Sequence, residues 1–246
     1  MAPKIDMVVL KTLALATLYT EDFPEREMFM SCEKDIRSEL KKHDIDLVDF
    51  VDVSELPADQ NKGFPNAILF GIPLSEQYIQ DITRAPDYVQ IKIKSKSNFD
   101  DDELNLKECK ASQLADHLAT YLTAQGYKAY SQSDGNLVAT GFFDVVHRKA
   151  PLPHKTIASL AGWGWMGKNN LLITPEFGSA LCLGTVLTDA PLKTVLHKPI
   201  SPKCDNCCIC VNICDVKSLK GSTWSIHSPR ESMITDFHGK KPGLKY

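Results

Sequence analysis

The residues best suited to chemistry lie in the stretch CDNCCICVNIC, at positions 204–214. It places Cys204, Cys207, Cys210 and Cys214 at the spacing C-x2-C-x2-C-x3-C. In bacterial proteins with this spacing, three thiolates hold one iron–sulfur cubane and the fourth cysteine ligates a second cluster. The spacing therefore predicts one 4Fe-4S cluster on the first three cysteines.

The sequence does not identify the fourth ligand of that cluster. Cys214 or Cys208 could supply it, and so could His227, His238 or a partner protein. Two other outcomes stay open. The site could be vestigial and hold no stable cluster, or it could hold structural zinc, although zinc sites usually separate their two ligand pairs by a longer loop.

A second candidate site is the glycine–tryptophan segment AGWGWMGKNN, residues 161–170. Its glycines match both G-x-G-x-x-G and G-x4-G-K, two nucleotide-binding patterns that require a strand before the glycines and a helix after them. Here HKTIASLA predicts a helix before the segment, and NLLIT predicts a strand after it. Because this order is reversed, we do not expect nucleotide binding.

Glycines allow a flat ligand or another backbone to approach closely, and tryptophans offer broad apolar faces. The segment could therefore form a wall against a large planar cofactor, or a tight turn with both tryptophans in the core. Lys168 could bind a phosphate, carboxylate or amide of a ligand, or be a surface lysine. The candidate cofactor-binding residues are Gly162, Trp163, Gly164, Trp165, Gly167, Lys168 and Asn169.

The apolar pattern predicts the elements that carry these sites. Four-residue steps predict a helix from Pro24 to about His43, with Met28, Cys32, Ile36 and Leu40 on one face. A second helix is predicted over about 102–125, with a stripe of leucines and Gly126 as its left-handed cap. Strands are predicted at 46–53, 67–72, 127–130, 137–143, 170–174 and 180–188. The alternation of strands and helices predicts a layered α/β domain.

The stretch VQIKIKSKS, residues 89–97, places Lys92, Lys94 and Lys96 on one side of an extended segment. We predict an edge strand protected by lysines, with a phosphate-contacting stripe as the alternative. The isolated cysteines Cys32, Cys109 and Cys182 are predicted to be small buried hydrophobic residues.

The chain has 246 residues and a net charge of −3, and its composition predicts an ordinary globular protein. We predict an N-terminal extension (1–23), an α/β cofactor or substrate domain (24–190) and a truncated cysteine module (191–246). The extension is too short and too interrupted by charge to span a bilayer. No membrane association and a cytoplasmic location are expected, since the cysteine usage suits a reducing compartment.

The segment 154–192, the cysteine run that follows it and the later KGSTW together resemble the epoxyqueuosine reductase-like iron–sulfur proteins, which are relatives of reductive dehalogenases. The resemblance is continuous over about 154–224. It implies a nitroreductase-like α/β (α+β) domain that binds a corrinoid such as cobalamin, with a small C-terminal ferredoxin-like module feeding electrons to it. The second motif of the family, C-x2-C-x3-C-P, does not occur in this sequence.

One departure from the family concerns the proton donor. The tRNA-modifying members have an aspartate just before the Ala-Pro pair, where this chain has Arg148 and Lys149 before Ala150 and Pro151. Arginine stays protonated near neutral pH and is a poor acid. The catalytic residues are therefore not predicted, and epoxyqueuosine reduction by the family's route is not expected.

The leading interpretation is an iron–sulfur redox protein that passes electrons from its cluster to a corrinoid or other large planar ligand. The alternative is a non-catalytic descendant that acts as a binding or assembly subunit. An electron donor protein is the expected partner, and a homodimer is a further one. Residues 192–246 carry nine Lys or Arg against four Asp or Glu, so this basic part could dock on the rest of the chain, on an acidic partner or on a nucleic acid such as tRNA.

Overall fold

The computed structural model describes residues 23–95, 97–147, 149–194, 197 and 200–213. Helices and strands alternate along this part of the chain, with two long helices and several short ones. In chain order they are α1 (Phe23–Lys41), β1 (Leu47–Asp52), α2 (Ala58–Asn61), β2 (Asn66–Pro73), α3 (Glu76–Arg84), α4 (Tyr88–Lys94), α5 (Glu103–Ala124), β3 (Ala129–Ser131), α6 (Asp134–Ala139), α7 (His154–Leu160), β4 (Trp165–Met166), β5 (Leu172–Ile173), β6 (Leu181–Thr188) and α8 (Ile209–Ile213).

A four-stranded sheet in the order β1-β2-β6-β3 organises the domain, and its neighbouring strands are antiparallel. Its two central strands, β2 and β6, pair over eight residues, from Asn66 opposite Thr188 to Pro73 opposite Leu181. The register sets Phe70 opposite Gly184. A Cβ atom at Gly184 would lie only 2.2 Å from Cζ of Phe70, so the glycine gives the phenylalanine ring its space.

Successive residues of β2 point to opposite faces of the sheet and enter two separate hydrophobic cores. Ile68 and Phe70 join the first core, which α1 and α5 cover with Ile36, Leu40, Leu114, Leu118 and Leu122. Ala67 and Leu69 join the second core, which α7 covers with Ile157 and Ala158. Helices thus cover both faces of the central strand. Because both faces are covered, this strand carries apolar residues on each of them.

The structure confirms the mixed α/β class and most of the long elements. The helices predicted to His43 and over 102–125 are α1 and α5, and Gly126 after α5 has the left-handed φ of 93°. Strands overlap five of the six predicted segments. The side chains of Cys32, Ile36 and Leu40 are buried as predicted, whereas the side chain of Met28 lies outside the description.

The prediction of an edge strand at 89–97 is wrong, because residues 88–94 form helix α4. The helical turn brings Lys92 over the ring of Tyr88, 5.2 Å from its centroid, and 5.1 Å from that of Phe99. The Tyr88 hydroxyl donates to Asp102, the N-cap of α5, at 2.5 Å. These contacts favour a helix over the strand that the alternating lysines suggested. Lys96 lies outside the described residues.

The strand predicted at 137–143 is also wrong, because residues 134–139 form helix α6. Ser133 caps this helix, and its hydroxyl accepts a hydrogen bond from the backbone N–H of Asn136 at 3.2 Å. A serine followed by an acidic residue is a helix-start signal. The cap therefore outweighs the β-branched and aromatic residues that follow.

The scattered cysteines divide into two kinds. Cys32 and Cys182 are buried as predicted, and burial raises the pKa of the Cys182 thiol to about 12. Cys109 is exposed on α5, so its predicted burial is wrong.

None of the helices described is both long and apolar enough to cross a membrane. Residues 1–22 of the predicted extension (1–23) and the last part of the cysteine module (214–246) lie outside the described residues, and the domain boundaries stay predictions.

Candidate cofactor and cluster site

The glycine–tryptophan segment (161–170) connects helix α7 to the β4–β5 hairpin, in the helix-then-strand order that the sequence predicted. Its first residues close the helix. The N–H of Gly162 donates to the carbonyl of Ser159 at 3.0 Å, and that of Trp163 donates to Ala158 at 3.0 Å. Gly162 has a φ of 72°, which is a left-handed conformation that favours glycine.

The glycines of the segment serve close contacts within the chain. A Cβ atom at Gly164 would lie 2.1 Å from the carbonyl oxygen of Ile173 in β5. At Gly162 it would lie 2.8 Å from Cβ of His197, and at Gly167 it would lie 2.6 Å from Oδ1 of Asn169. The sequence left open whether a flat ligand or another backbone approaches these glycines. Protein atoms occupy the space at all three, so the glycines themselves form no cradle for a planar cofactor.

The two tryptophans have different environments. Trp163 is partly buried against the second core, and its Nε1 lies 3.4 Å from Oδ2 of Asp49. Trp165 lies in β4, and its buried Nε1 has no hydrogen-bond partner among the described residues. The Lys203 ammonium lies 5.7 Å from the Trp165 ring. Trp163 thus follows the core-packing alternative, while Trp165 retains a donor that a bound ligand could use.

Lys168 links the glycine–tryptophan segment to the cysteine run. Its side chain is buried, with the residue 7% exposed, so the alternative of a surface lysine is wrong. The ammonium donates to the backbone carbonyls of Asp205 at 2.7 Å and of Cys207 at 2.9 Å. Since these carbonyls belong to the turn between the first two cysteines of the motif, Lys168 holds the cysteine loop against the segment. Its predicted contact with a ligand stays a prediction.

The cysteine loop is a tight turn followed by the short helix α8. The N–H of Cys207 donates to the carbonyl of Cys204 at 2.7 Å. Cys204 and Cys210 are partly buried, whereas Cys207 and Cys208 are exposed. Three thiols on one short, lysine-anchored loop are the donor set that a cubane takes from such a motif, so the residues present fit a cluster. Cys214, His227 and His238 lie outside the described residues, so the fourth ligand stays open.

Two ionisable side chains at the start of α7 were not singled out from the sequence. Burial lowers the pKa of His154 to about 4, although Asp134 opposes this shift. Its Nδ1 lies 2.7 Å from Oγ1 of Thr185. Burial also lowers the pKa of Lys155 to about 8, and its ammonium donates to the carbonyl of Asn170 at 2.8 Å. The helix pattern gave no indication of either shift, because both arise from tertiary burial.

No protein-family model matches the chain. Curated relatives match part of it: epoxyqueuosine reductase from Bacillus cereus is 41% identical over 68 residues, 28% of this chain and 17% of the relative. The same enzyme from Listeria monocytogenes is 46% identical over 65 residues, which are 26% of this chain and 17% of the relative. The enzyme from Pseudomonas aeruginosa is 30% identical over 114 residues, which are 44% of this chain and 26% of the relative. The matched region thus spans about a quarter or less of these relatives.

Solved structures show a related fold. A catabolic reductive dehalogenase in complex with 3-bromo-4-hydroxybenzoic acid matches with a TM-score of 0.51 at 15% identity, over 75% of this chain and 25% of that chain. An epoxyqueuosine reductase solved with an epoxyqueuosine-modified tRNA stem loop matches with a TM-score of 0.43 at 15% identity, over 78% and 53%. The fold is shared with the first of these structures, the dehalogenase.

The fold and the anchored cysteine loop place the chain in a class of mixed α/β proteins related in fold to reductive dehalogenases. The resemblance seen in the sequence is confirmed by the curated relatives, since the matched part of the chain is similar to epoxyqueuosine reductases.

Proposed function

We propose that this chain is an iron–sulfur redox protein. Cys204, Cys207 and Cys210 would hold one 4Fe-4S cluster, which passes electrons to a ligand lying against Trp165. The observation that supports this most directly is the contact of Lys168 with the Asp205 and Cys207 carbonyls. Two motifs that the sequence presented separately are brought into contact by a buried ammonium.

The ligand class follows from the resemblance to the family. A corrinoid or another large planar group, when bound, would supply the electron-accepting centre. In this chain Trp165 offers a buried indole N–H and an aromatic face to such a ligand. The glycines do not supply space for it, since protein atoms already occupy that space. The substrate and the electron donor protein stay open.

Lys168 has two roles in this proposal. Its hydrogen bonds fix the backbone that carries Cys207, and its positive charge lies beside the loop that binds the cluster. A positive charge near a cluster favours the reduced, more negative state, so Lys168 raises the reduction potential.

The first experiment is an anaerobic purification with iron, sulfide and cobalt counts. We expect about four irons per chain, as one cubane requires. Cys207→Ser should remove this iron. The matched control is Cys109→Ser, because Cys109 is another exposed cysteine and lies on α5, outside the motif. Stoichiometric zinc without iron would refute the cluster, and a chain without metal would favour the non-catalytic binding subunit.

The second experiment separates the contact of Lys168 from general folding. In Lys168→Met the iron content should fall, and any remaining cluster should have a more negative reduction potential. Lys155→Met is the matched control, since Lys155 is also shielded from water and hydrogen-bonded to a carbonyl, but at Asn170 in the glycine–tryptophan segment. An unchanged iron count and potential in Lys168→Met would contradict the proposed link.

A third experiment tests the ligand. Cobalamin should bind to the intact protein and quench tryptophan emission, and Trp165→Phe should weaken the binding because the phenyl ring has no N–H. Absence of cobalamin binding, with a normal cluster, would restrict the proposal to electron transfer with another acceptor.

A further inference from the structure

Three potential metal ligands meet where the end of α1 packs on α5. Glu39 lies in the last turn of α1, and His43 follows four residues later in a turn that continues the helical path, with its N–H donating to the carbonyl of Leu40 at 3.0 Å. Residues four apart share a helix face. His117 comes from the middle of α5. We refer to these three residues as the Glu39–His43–His117 trio.

The distances in the trio are those of a preformed cluster. Oε1 of Glu39 lies 2.8 Å from Nε2 of His117, and the rings of His43 and His117 meet edge to face with centroids 5.3 Å apart. One ligand atom from each residue lies within 4.8 Å of the other two. The Lys110 ammonium donates to the carbonyl of His43 at 2.9 Å, so the turn that carries His43 is tied to α5.

The geometry points to a divalent transition-metal site of the zinc class at the Glu39–His43–His117 trio, with an open position for water. Two imidazoles and one carboxylate are the protein ligands of many zinc sites that keep an open position. Nitrogen ligands favour zinc, nickel or copper over magnesium and calcium, which prefer oxygen. An ion here would bridge α1 and α5.

The environment of Glu39 supports binding with no more than a small turn of its carboxylate. Glu39 is buried with the residue 8% exposed, while the side chain of His117 is 48% exposed and gives access from solvent. Both carboxylate oxygens already have polar partners, Lys42 at Oε2 and His117 at Oε1. Lys42 binds Oε2 at 2.6 Å. Oε1 can therefore turn from His117 to a metal ion while Lys42 keeps the carboxylate in place as an outer partner.

The chain contains a suitable comparison site. His147 and Asp144 form an exposed pair with Nδ1 and Oδ2 2.6 Å apart, which resembles the Glu39–His117 contact in length. Among the described residues, this pair has no third ligand within the distance that groups the trio. If one histidine and one carboxylate were enough, both places would bind zinc equally well.

The test is a zinc titration of the full chain followed by calorimetry. Cysteine thiolates also bind zinc, so the informative quantity is the difference between variants. His43→Ala and His117→Ala should each weaken one zinc site by about tenfold or more, since even outer-shell changes cost 10–100-fold. His147→Ala should titrate like the unchanged protein. Identical titrations of all four proteins would overturn the site.

A second measurement uses only the unchanged protein, so it tests the site even if a histidine variant fails to fold. The unchanged protein is treated with diethyl pyrocarbonate with and without zinc, and modified histidines are located by mass spectrometry. Zinc should protect His43 and His117 but leave His147 reactive, and magnesium should protect none of them. Equal reactivity of His43 and His117 with saturating zinc would refute the proposal.

Discussion

The two faces of the central sheet are built on different principles. On the first, α1 and α5 pack Ile36, Leu40 and Leu118 against the strands, and apolar burial dominates. On the second, α7 packs Ile157 against Leu69 but also carries buried polar groups and precedes the segment that anchors the cysteine loop. The difference indicates that both faces supply stability, and that the second also fixes the position of the cysteine loop.

The polar chain on the second face shows how position is fixed. Thr185 Oγ1 donates to Oε1 of Gln132 at 2.5 Å, and Gln132 Nε2 donates to the carbonyl of Leu152 at 2.9 Å. Since the threonine hydrogen is used on Gln132, its oxygen accepts from Nδ1–H of His154, 2.7 Å away. Buried hydrogen bonds of this kind are costly to break, so they specify one arrangement of α7 on the sheet.

The largest expected effect comes from the cores themselves. Leu118 and Ile157 are both 0% exposed, one on each face. Leu118→Ala and Ile157→Ala should each lower the free energy of unfolding by about 3 kcal/mol, measured by urea denaturation. Only Ile157→Ala should also lower the iron content of the folded protein. As a control, Leu106→Ala on the exposed side of α5 should change stability by less than about 0.5 kcal/mol. Equal loss of iron in both core variants would remove the distinction between the faces.

A pH titration of stability addresses the polar chain. The folded-state pKa of His154 is about 4, below the ordinary value of 6.5, so the folded protein favours the neutral ring. This contribution is complete above pH 6.5 and is lost as the pH falls from 6.5 to 4. Full burial would give about 3 kcal/mol, and the partial exposure of the side chain reduces our expectation to about 2 kcal/mol.

His154→Asn is the control for that titration, because an amide can still donate to Thr185 but does not titrate. Its free energy of unfolding, measured by urea denaturation across the same range, should vary less with pH than that of the unchanged protein. The same slope in both proteins would assign the pH dependence to other groups.

The close contact between Gly164 and strand β5 predicts a smaller, local change in stability. Gly164→Ala would place a methyl group 2.1 Å from the Ile173 carbonyl oxygen and should cost about 2 kcal/mol by overpacking. Gly135 in α6 has nothing within 4 Å of a built Cβ atom, so Gly135→Ala should stabilise the protein by about 0.5–1 kcal/mol. Thermal melts of the two variants should therefore shift in opposite directions. A shift of the same sign would mean that the hairpin relaxes freely.

The smallest effect concerns the rim of the second face. The Lys62 ammonium lies 4.6 Å from the Tyr130 ring centroid and 4.4 Å from that of Phe142. Lys62→Met keeps the aliphatic contact and removes the cation, so it should cost about 0.5–1 kcal/mol. Chemical denaturation in low and high salt would measure this, and no change in midpoint would show that the contact is energetically neutral.

The comparison of the faces also explains what the sequence could predict. The first face follows from repeated apolar spacing in α1 and α5, which is strong over long segments. The short helices α4 and α6 were misassigned because a tyrosine–lysine contact and a serine cap outweighed the local strand pattern. On the second face, the contact of Lys168 with Asp205 and Cys207 joins residues 37 and 39 positions apart. Such contacts carry no sequence signal, because their acceptors are backbone carbonyls.

That use of carbonyls also affects how the cysteine loop can evolve. Every amino acid carries a backbone carbonyl, so the hydrogen bonds of Lys168 depend on the backbone conformation of the loop and not on the identity of its side chains. The exposed Asn206 can therefore be replaced without loss of these hydrogen bonds. At Asp205, whose φ is 25°, the choice of residue is limited only by the backbone conformation. Position 168 is more restricted, since a side chain without a hydrogen-bond donor would lose both contacts. Substitutions in the loop could thus change its exposed surface while the cysteine geometry stays the same.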